Sequence, residues 1–466
     1  MKTQLLVASI ATALLTACGG GGDTGSPTTT PQPSSSANTT VQFNLGDAPA
    51  DRVVAVGMTV NSLVLTNAGG GQVTVLSSPR PIEMMQLMGT VTPLALSSVP
   101  QGTYTRATMT FGGASVTHVD TTTGQLVYRS VPGPMTASVS FNPALTLGAT
   151  PTVINFDMNM AASVLIDGNG NVSMTPSLTA APRPILVGSR DPEDGGMHGV
   201  TGTVSGINGN AFTLTMTQGL SGTSLMTHSG THYSGLADMH SMGGNMLVSV
   251  DATPQADGTW VVDHVQSRMS AGGAMAAGLV TGVTGSPPTQ LTLVMRDGAG
   301  NSMMSANLAS TATVNIGGST QFSIDADGVD LNGLPFTPQF DRTHLSKGQA
   351  VKAWSGSQIE HGHGMGGMPN SDTVTAASIA LEQQGLRGTV SGYASNGSQA
   401  SFTLTVPTDS AFAALTGATA VTVYQRSSTQ VRGLSSLSNG SIVQVRGLLF
   451  VDGSNYRLVA GRIVAG

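Results

Sequence analysis

One pattern recurs three times in the latter part of the chain and limits what those residues can fold into. A five-residue segment with glycine at both ends precedes a run in which threonine and apolar residues alternate. The copies are GTVSG at 202–206 with FTLT at 212–215, GLVTG at 278–282 with LTL at 291–293, and GTVSG at 388–392 with FTLT at 402–405. Alternation with a period of two is typical of β-strands, so each copy predicts a strand pair.

A second element follows each strand pair. Triplets of threonine, any residue and an apolar or aromatic residue stand at 231–233, 320–322 and 429–431, and further apolar strand patterns follow at 246–250, 350–354 and 442–445. A unit that recurs in this way predicts tandem domains of one fold. The order of strands in each copy resembles that of oligonucleotide/oligosaccharide-binding (OB)-like barrels, which implies three small β-barrel repeats over residues 196–270, 276–382 and 385–466. Glycine-rich insertions make the second repeat the least suited to closing into a barrel.

Residues 41–183 alternate in the same manner but carry no repeat. Ile154, Phe156 and Met158 are apolar, whereas Asn155 and Asp157 between them are polar. Turn-forming clusters at 67–71 and 167–171 separate such runs at the spacing of hairpins. The region therefore predicts an antiparallel β-sandwich. The fold class expected for the whole chain is all-β, a sandwich followed by three barrels.

The composition separates this chain from ordinary cytoplasmic enzymes. Charged residues make up 9% of it and hydrophobic residues 39%, with 61 glycines, whereas about a quarter of the residues in a typical soluble domain are charged. A formal net charge of −6, spread along the whole chain, does not indicate a nucleic-acid partner.

The first residues have the parts of a secretory signal peptide over 1–17: Lys2, an apolar stretch and small residues before a cysteine. The apolar stretch, 5–15, is shorter than the roughly 20 residues of a membrane-spanning helix. The sequence LTAC at 15–18 resembles the lipobox of bacterial lipoproteins, which implies cleavage before Cys18 and a lipid anchor, palmitate included, on that residue. The alternative is an ordinary signal peptide with a chance cysteine. Because Cys18 is the only cysteine, intramolecular disulfides are excluded.

Residues 18–40 are predicted to be a flexible tether, because they are nearly all Gly, Ser, Thr and Pro. Gly19 follows the cysteine where inner-membrane lipoproteins of enterobacteria have aspartate. The lipoprotein resemblance therefore implies a lipid-anchored location in the cell envelope, at the outer membrane.

Two further resemblances concern the folded part. DAPAD at 47–51 and LSSVPQGTY at 96–104 resemble an uncharacterised N-terminal module of bacterial surface lipoproteins. The order of strands in each repeat resembles the oligonucleotide/oligosaccharide-binding (OB)-like barrels found in tandem in envelope proteins of unknown function. That resemblance implies three OB-like repeats, and residues 409–415 fit a short helix capped by Asp409. Neither family brings an established activity.

Histidine and methionine are concentrated in the first two repeats. The candidate metal ligands are His228, His232, His240, His361, His363 and Met365, with Met197, His198, Met226, Met239, Met242 and Met368 close to them in sequence. Imidazole and thioether groups together suit copper. The alternative is that the methionines fill apolar cores and the glycine-flanked histidines lie in solvated loops. We expect no cofactor, with copper as the alternative.

Other polar clusters favour structural roles. Asp167, Asn169 and Asn171, and likewise Asp325, Asp327 and Asp330, are spaced like calcium ligands but lack the rest of that motif, so both runs are predicted to be hairpin turns. Asp47 and Asp51 flank a proline and predict another turn. The last repeat has six arginines against Asp409 and Asp452: Arg387, Arg426, Arg432, Arg446, Arg457 and Arg462. We expect a solvated face, with contact to anionic polysaccharide or phospholipid as the alternative.

The sequence contains no catalytic motif of the common hydrolase, metalloprotease or P-loop type. The predicted function is therefore non-enzymatic, a binding or structural surface protein held to the membrane by its lipid. Its expected partners are envelope proteins or glycans, and nucleic acid is not expected. The alternative function is a copper-binding envelope lipoprotein.

Overall fold

The computed structural model describes residues 37–48, 50–120, 122–269, 274–299, 308–355, 360–361, 372–397 and 399–466. Residues Ala37–Gly466 form one compact unit. Strands account for 64% of the structure and helices for 6%, which confirms the all-β class. Among the described residues no helix has the length and apolar character needed to cross a membrane. The predicted signal peptide, Cys18 and the predicted tether up to residue 36 lie outside the described residues. The tether prediction was wrong at residues 38–40, which belong to the first strand.

The N-terminal part is a sandwich of two sheets, with a hairpin and a one-turn helix attached. One sheet has the order β12-β9-β1-β5, and the other has β3-β2-β6-β7, with β4 paired to β2 and β8 to β6. The elements are β1 Asn38–Ala48, β2 Val53–Asn67, β3 Gln72–Leu76, β4 Arg80–Glu83, β5 Val91–Pro100, β6 Gly102–Val119, β7 Leu126–Val131, β8 Met135–Leu147, β9 Thr152–Asn159, α1 Met160–Ser163, β10 Val164–Ile166, β11 Val172–Met174 and β12 Leu178–Pro184.

The sandwich is not wholly antiparallel, because β1 and β9 run side by side in the same direction. A parallel pair needs a long crossover, and the strands between β1 and β9 supply it. The prediction of a purely antiparallel sandwich was wrong at this pair. It rested on hairpin-like turns, which report only on strands that are neighbours in sequence.

The predicted alternation correctly identifies apolar residues of the sandwich core. Ile154, Phe156 and Met158 are buried between the sheets together with Val56 and Met58 of β2. The polar residues between them are not simply solvated, because Asn155 is also buried. Asn155 hydrogen-bonds the Asn44 side chain at 2.7 Å, and each of the two amides donates to a backbone carbonyl in the segment that follows β12.

The rest of the described chain forms three barrels, named here in chain order. Barrel 1 comprises β13 Met197–Asn208, β14 Ala211–Met216, β15 Thr223–Met226, β16 His232–Ser234, β17 Leu247–Pro254 and β18 Trp260–Met269. Barrel 2 comprises β19 Ala274–Gly285, β20 Pro288–Ala299, β21 Thr311–Ile324, β22 Ala350–Ser355, β23 Glu360–His361 and β24 Asp372–Leu381. Barrel 3 comprises β25 Gln383–Asn396, β26 Gln399–Thr405, α2 Ala411–Thr416, β27 Ala420–Arg432, β28 Ile442–Asp452 and β29 Asn455–Ala465.

All three barrels share one topology. The first strand pairs with the second and fourth, the second with the third, and the fourth with the fifth. A parallel pairing of the third strand with the fifth then closes the ring. In barrel 1 the third strand is broken into β15 and β16, and β15 meets β18 at the single pair Met226 and Val261. Closure is therefore loosest in barrel 1. The expectation that barrel 2 is the least suited to closing was wrong, because its β21 and β24 pair at nine positions.

A buried threonine explains the recurring Thr-x-apolar triplet. The third strand leaves the parallel ladder for several residues and rejoins it directly after this threonine. The hydroxyls of Thr231, Thr320 and Thr429 each donate to a carbonyl of the fifth strand at 2.6–2.7 Å. Each hydroxyl also accepts from the backbone N–H three residues earlier, at 2.8–3.0 Å. The threonine thus replaces the ladder hydrogen bonds at the bulge.

A steric constraint explains why the repeated five-residue segment begins with glycine. A Cβ atom on Gly202, Gly278 or Gly388 would lie within 2.6 Å of a carbonyl oxygen of the second strand. Only glycine allows the first two strands to approach this closely.

The predicted short helix is present as α2, but its cap differs. Ser410 and not Asp409 is the N-cap, and its hydroxyl accepts from the backbone N–H of Ala413 at 3.2 Å. The helix lies between the second and third strands. In barrels 1 and 2 a one-turn 3-10 helix lies between the third and fourth strands instead, at Met239–Ser241 and Arg342–His344.

Candidate functional site

The predicted metal ligands fall in different places. His228, His232 and His240 are exposed on barrel 1, and the Nδ1 atom of His228 accepts from the backbone of Gly230 at 3.1 Å. His361 belongs to β23, but its side chain lies outside the described residues, as do His363 and Met365 entirely. Copper binding by this set stays a prediction.

The methionines near these histidines have a packing role. Met197, Met239 and Met242 are buried in the core of barrel 1, whereas Met226 is 37% exposed. Three of the four thioethers therefore contribute to the apolar core. This matches the alternative interpretation of the methionines.

The structure joins His198 to two aspartates that the sequence did not associate with it. The His198 Nδ1 atom lies 3.1 Å from Oδ1 of Asp251, and Nε2 lies 3.1 Å from Oδ1 of Asp327. Asp251 is on β17 of barrel 1, and its Oδ1 also accepts from the backbone of Gly199 at 2.7 Å. Asp327 belongs to the segment that connects β21 and β22 of barrel 2. We call these three residues the His198 clamp, since they connect two barrels.

The clamp fits a charged imidazolium better than a bound metal. The ligand atoms of the three side chains lie within 4.8 Å of one another, but the carboxylates face opposite nitrogens of the ring. A metal at one nitrogen would leave one carboxylate beyond its coordination sphere, whereas an imidazolium donates to both. The Asp251 carboxylate, whose Oδ1 atom lies 3.1 Å from Nδ1, outweighs burial and raises the pKa of His198 to about 9. Burial raises the pKa of Asp327, so Asp251 is the stronger partner.

The clamp borders two adjoining cavities of about 190 and 310 Å³, where the sandwich and the three barrels meet. Further ion pairs line the first cavity: Arg268 to Asp325 at 2.5 Å and Lys352 to Glu382 at 2.9 Å. Burial lowers the pKa of Lys352, but the Glu382 carboxylate more than offsets this and holds it above its usual value. The groups that line this junction are thus largely paired with one another.

The second acidic run contains a turn, as predicted, but not a hairpin. Asp327 has a φ of 41° in a turn closed by the Val329 N–H, which donates to the carbonyl of Ala326 at 2.9 Å. Asp325 and Asp327 also reach across to barrel 1, and Asp330 caps the next turn, accepting from the backbone of Asn332 at 3.0 Å. The first run behaves as predicted. Asp167 accepts from the backbones of Asn169 and Asn171 at 2.8 and 2.9 Å in the β10–β11 hairpin.

The arginines of barrel 3 do not form the expected solvated face. Arg462 and Arg432 bind Asp191, Glu193 and Asp194 in the segment that joins the sandwich to barrel 1. Arg387 pairs with Asp51 of the sandwich at 3.3 Å. Arg446 donates to the carbonyl of Gln86 at 2.8 Å, and Arg426 donates to a carbonyl of barrel 2. Arg457 lies over the ring of Phe336 of barrel 2, 4.9 Å from its centroid. All six arginines therefore contact other parts of the body.

A further polar contact joins the sandwich to barrel 2. Arg296 of β20 donates twice to the carbonyl of Val54. Close by, Glu83 is fully buried and accepts from three backbone N–H groups at 2.8–3.0 Å. Burial raises the pKa of Glu83 to about 7, against the opposing effect of the Arg296 charge. Asp47 is buried beside this pair, and burial raises its pKa well above the usual value. Asp47 therefore belongs to a buried polar cluster and not only to the predicted turn.

Sequence comparison identifies one domain. Residues 38–176 match the family model described as "Domain of unknown function (DUF4382)". This match spans most of the sandwich and confirms the expectation of an uncharacterised N-terminal domain. No curated protein matches the chain.

Structure comparison adds no functional information. The wild-type single-stranded DNA binding protein from Thermus aquaticus is 14% identical with a TM-score of 0.15, and the match covers 43% of this chain and 94% of that one. A deletion mutant of the same protein is 16% identical, also with a TM-score of 0.15, and covers 42% and 93%. At such a TM-score neither likeness supports an argument.

Proposed function

We propose that this chain is a lipid-anchored protein of the bacterial cell envelope with a non-enzymatic role. In this proposal Cys18 carries the lipid at the outer membrane and residues 19–37 tether a rigid body. The body presents binding surfaces to envelope proteins or glycans at fixed relative positions.

The observation that carries the proposal is that charged side chains connect one domain to another. Only 9% of the residues are charged, yet a set of these groups connects separate parts of the body. They are Arg268, Arg296, Arg387, Arg426, Arg432, Arg446, Arg462 and the His198 clamp. Because each charged group must meet a partner on another domain, we infer that these contacts favour one relative arrangement of the domains. Fixed spacing suits a scaffold that presents surfaces.

The barrel topology supports a finer proposal, that all three repeats are OB-like. The OB-fold is a five-stranded, partly open barrel, and each repeat here is a five-stranded ring with a parallel seam. The three copies also share the buried threonine and the leading glycine. These residues support one ancestral unit for the barrels, separate in origin from the sandwich.

The lipid anchor is tested by metabolic labelling with an alkyne analogue of palmitate in a Gram-negative host. The full chain should be labelled and should partition into the detergent phase of Triton X-114. Cys18→Ser should lose both properties, whereas Thr16→Ser, which keeps a small residue before the cysteine, should retain them. Persistent labelling of Cys18→Ser would refute the anchor.

The presenting role is tested separately by crosslinking in intact cells that produce the anchored protein. We expect a discrete set of envelope proteins or glycans to be captured. Leu165→Ser changes one surface side chain, since Leu165 is 68% exposed on the β10–β11 hairpin. It serves as the control and should capture the same set. If the anchored protein captures nothing across the envelope, the proposal fails even when Cys18 is acylated.

A further inference from the structure

We propose that His232 and His264 form a binding site for one divalent transition-metal ion on the surface of barrel 1, with Cu²⁺ bound most tightly. The site lies on neighbouring strands. It differs from the metal set predicted from sequence, because it takes His232 from that set and replaces its other members by His264.

The register of the sheet brings the two histidines together. β16 and β18 are parallel, and His232 pairs directly with His264. The two imidazole centroids are 5.4 Å apart, with the ring planes inclined by 51°. Two imidazoles that hold one ion at about 2.0 Å from each nitrogen have centroids roughly 4.5 Å apart at neighbouring positions of a tetragonal ion and roughly 5 Å apart around a tetrahedral one. The observed separation of 5.4 Å is within about 1 Å of both.

The surroundings of His264 favour its Nε2 atom as a ligand. Its Nδ1 atom faces Oδ2 of Asp251 at 3.8 Å, and its Nε2 atom lies 2.8 Å from the hydroxyl of Ser234. Asp251 is itself held by the backbone of Gly199 and lies against His198. At 3.8 Å the carboxylate is beyond hydrogen-bond distance, but its negative charge behind Nδ1 strengthens the opposite nitrogen as a ligand. The Nε2 atom is then the ligating atom, and Ser234 needs only a rotation about one bond to release it.

The site is open to solvent and offers two imidazole ligands. His232 is exposed and His264 is about one-third exposed, so an ion can enter without any movement of the backbone. Two neutral imidazoles with water in the remaining positions suit Cu²⁺, Ni²⁺ and Zn²⁺ rather than Ca²⁺ or Mg²⁺. Within that series Cu²⁺ binds most strongly.

The experiment uses the full chain carrying Cys18→Ser, with His361→Ala and His363→Ala as background changes to remove the other histidine group. Chelator-treated protein is titrated with CuCl₂ and followed by electron paramagnetic resonance and by isothermal calorimetry. We expect one ion per chain and a spectrum with hyperfine coupling to two imidazole nitrogens. ZnCl₂ should compete for the same site.

His264→Ala and His232→Ala should each weaken Cu²⁺ binding roughly 100-fold, because the second ligand acts at high effective concentration. The same two variants should show coupling to a single nitrogen. His240→Ala, which removes another exposed histidine of barrel 1, should bind like the parent, and thermal melts should establish that all variants are folded. A one-nitrogen spectrum in the parent, or an unchanged affinity in His264→Ala, would overturn the site. If the background changes alone abolish Cu²⁺ binding, the metal belongs to the group of His361 and His363, and the proposed site is overturned as well.

Discussion

The His198 clamp should make the connection between barrels 1 and 2 depend on pH. His198 has a pKa of about 9 in the folded protein, against 6.5 for a free histidine. A group whose pKa is raised on folding stabilises the folded state fully below its unfolded pKa and loses that effect as the pH rises through its folded pKa. The stabilisation should therefore be complete below about pH 6.5 and absent above about pH 9.

The size of the effect follows from the displacement of the pKa. At about 1.36 kcal/mol per pKa unit, raising the value from 6.5 to about 9 corresponds to about 3 kcal/mol. Because 33% of the His198 side chain is exposed, screening by solvent reduces this to roughly 1–2 kcal/mol. We expect the unfolding free energy of His198→Gln to be lower than that of wild type by this amount at pH 6 and equal to it at pH 10.

Tryptophan fluorescence during urea unfolding provides the assay, because the chain has two tryptophans. Trp260 lies in barrel 1 and Trp354 in barrel 2, both of them buried. His240→Gln, a change at an exposed histidine of the same barrel, is the matched control and should not alter the pH profile. An equal loss for His198→Gln at pH 6 and pH 10 would refute the reasoning, as would a carbon-13 titration that places the His198 pKa near 6.5.

Three other changes test the architecture. Thr429→Val keeps the shape of the side chain but removes two hydrogen bonds at the barrel 3 bulge, and should cost about 1–3 kcal/mol of unfolding free energy in urea titrations; an unchanged midpoint would contradict the role of the threonine. Gly388→Ala should destabilise barrel 3 by about 1–3 kcal/mol, measured by calorimetry, because its Cβ would meet a backbone oxygen. Gly206→Ala is the control, since its nearest neighbour would lie at 3.7 Å, and an equal effect at both glycines would refute the steric argument. Asp191→Asn weakens one buried partner of Arg462, which keeps Glu193, and should cost about 1–3 kcal/mol, while increasing proteolytic cleavage within 185–196; resistance equal to wild type would contradict it.

Much of the fold could be predicted because its signals are local. The alternation around Ile154, Phe156 and Met158 reports which face of one strand is buried, whatever that face packs against. The threonine triplets and the glycine-flanked segments recur because each barrel has the same constraint at its seam and between its first two strands. Repetition makes such constraints visible in a single sequence.

The charged groups could not be assigned in this way because their partners are distant in sequence. Arg432 and Asp194 are 238 residues apart, and His198 and Asp327 are 129 residues apart. Asn155 has a polar pattern that indicates exposure, yet the segment after β12 covers it. His264 went unnoticed as a partner of His232 because only the register between β16 and β18 brings the two together. In each case the docking of separate elements decides the environment of the residue.

The ion pairs at the domain junctions also determine how the body responds to dissolved salt. Exposed charges are screened over a Debye length of about 8 Å at physiological ionic strength, and buried pairs much less. The side chains of Arg462 and Asp191 are only 9% and 5% exposed, so dissolved salt has little access to their contact. This contact should therefore persist as the ionic strength rises, whereas a more exposed junction pair, Arg387 with Asp51 at 32% and 29%, should weaken.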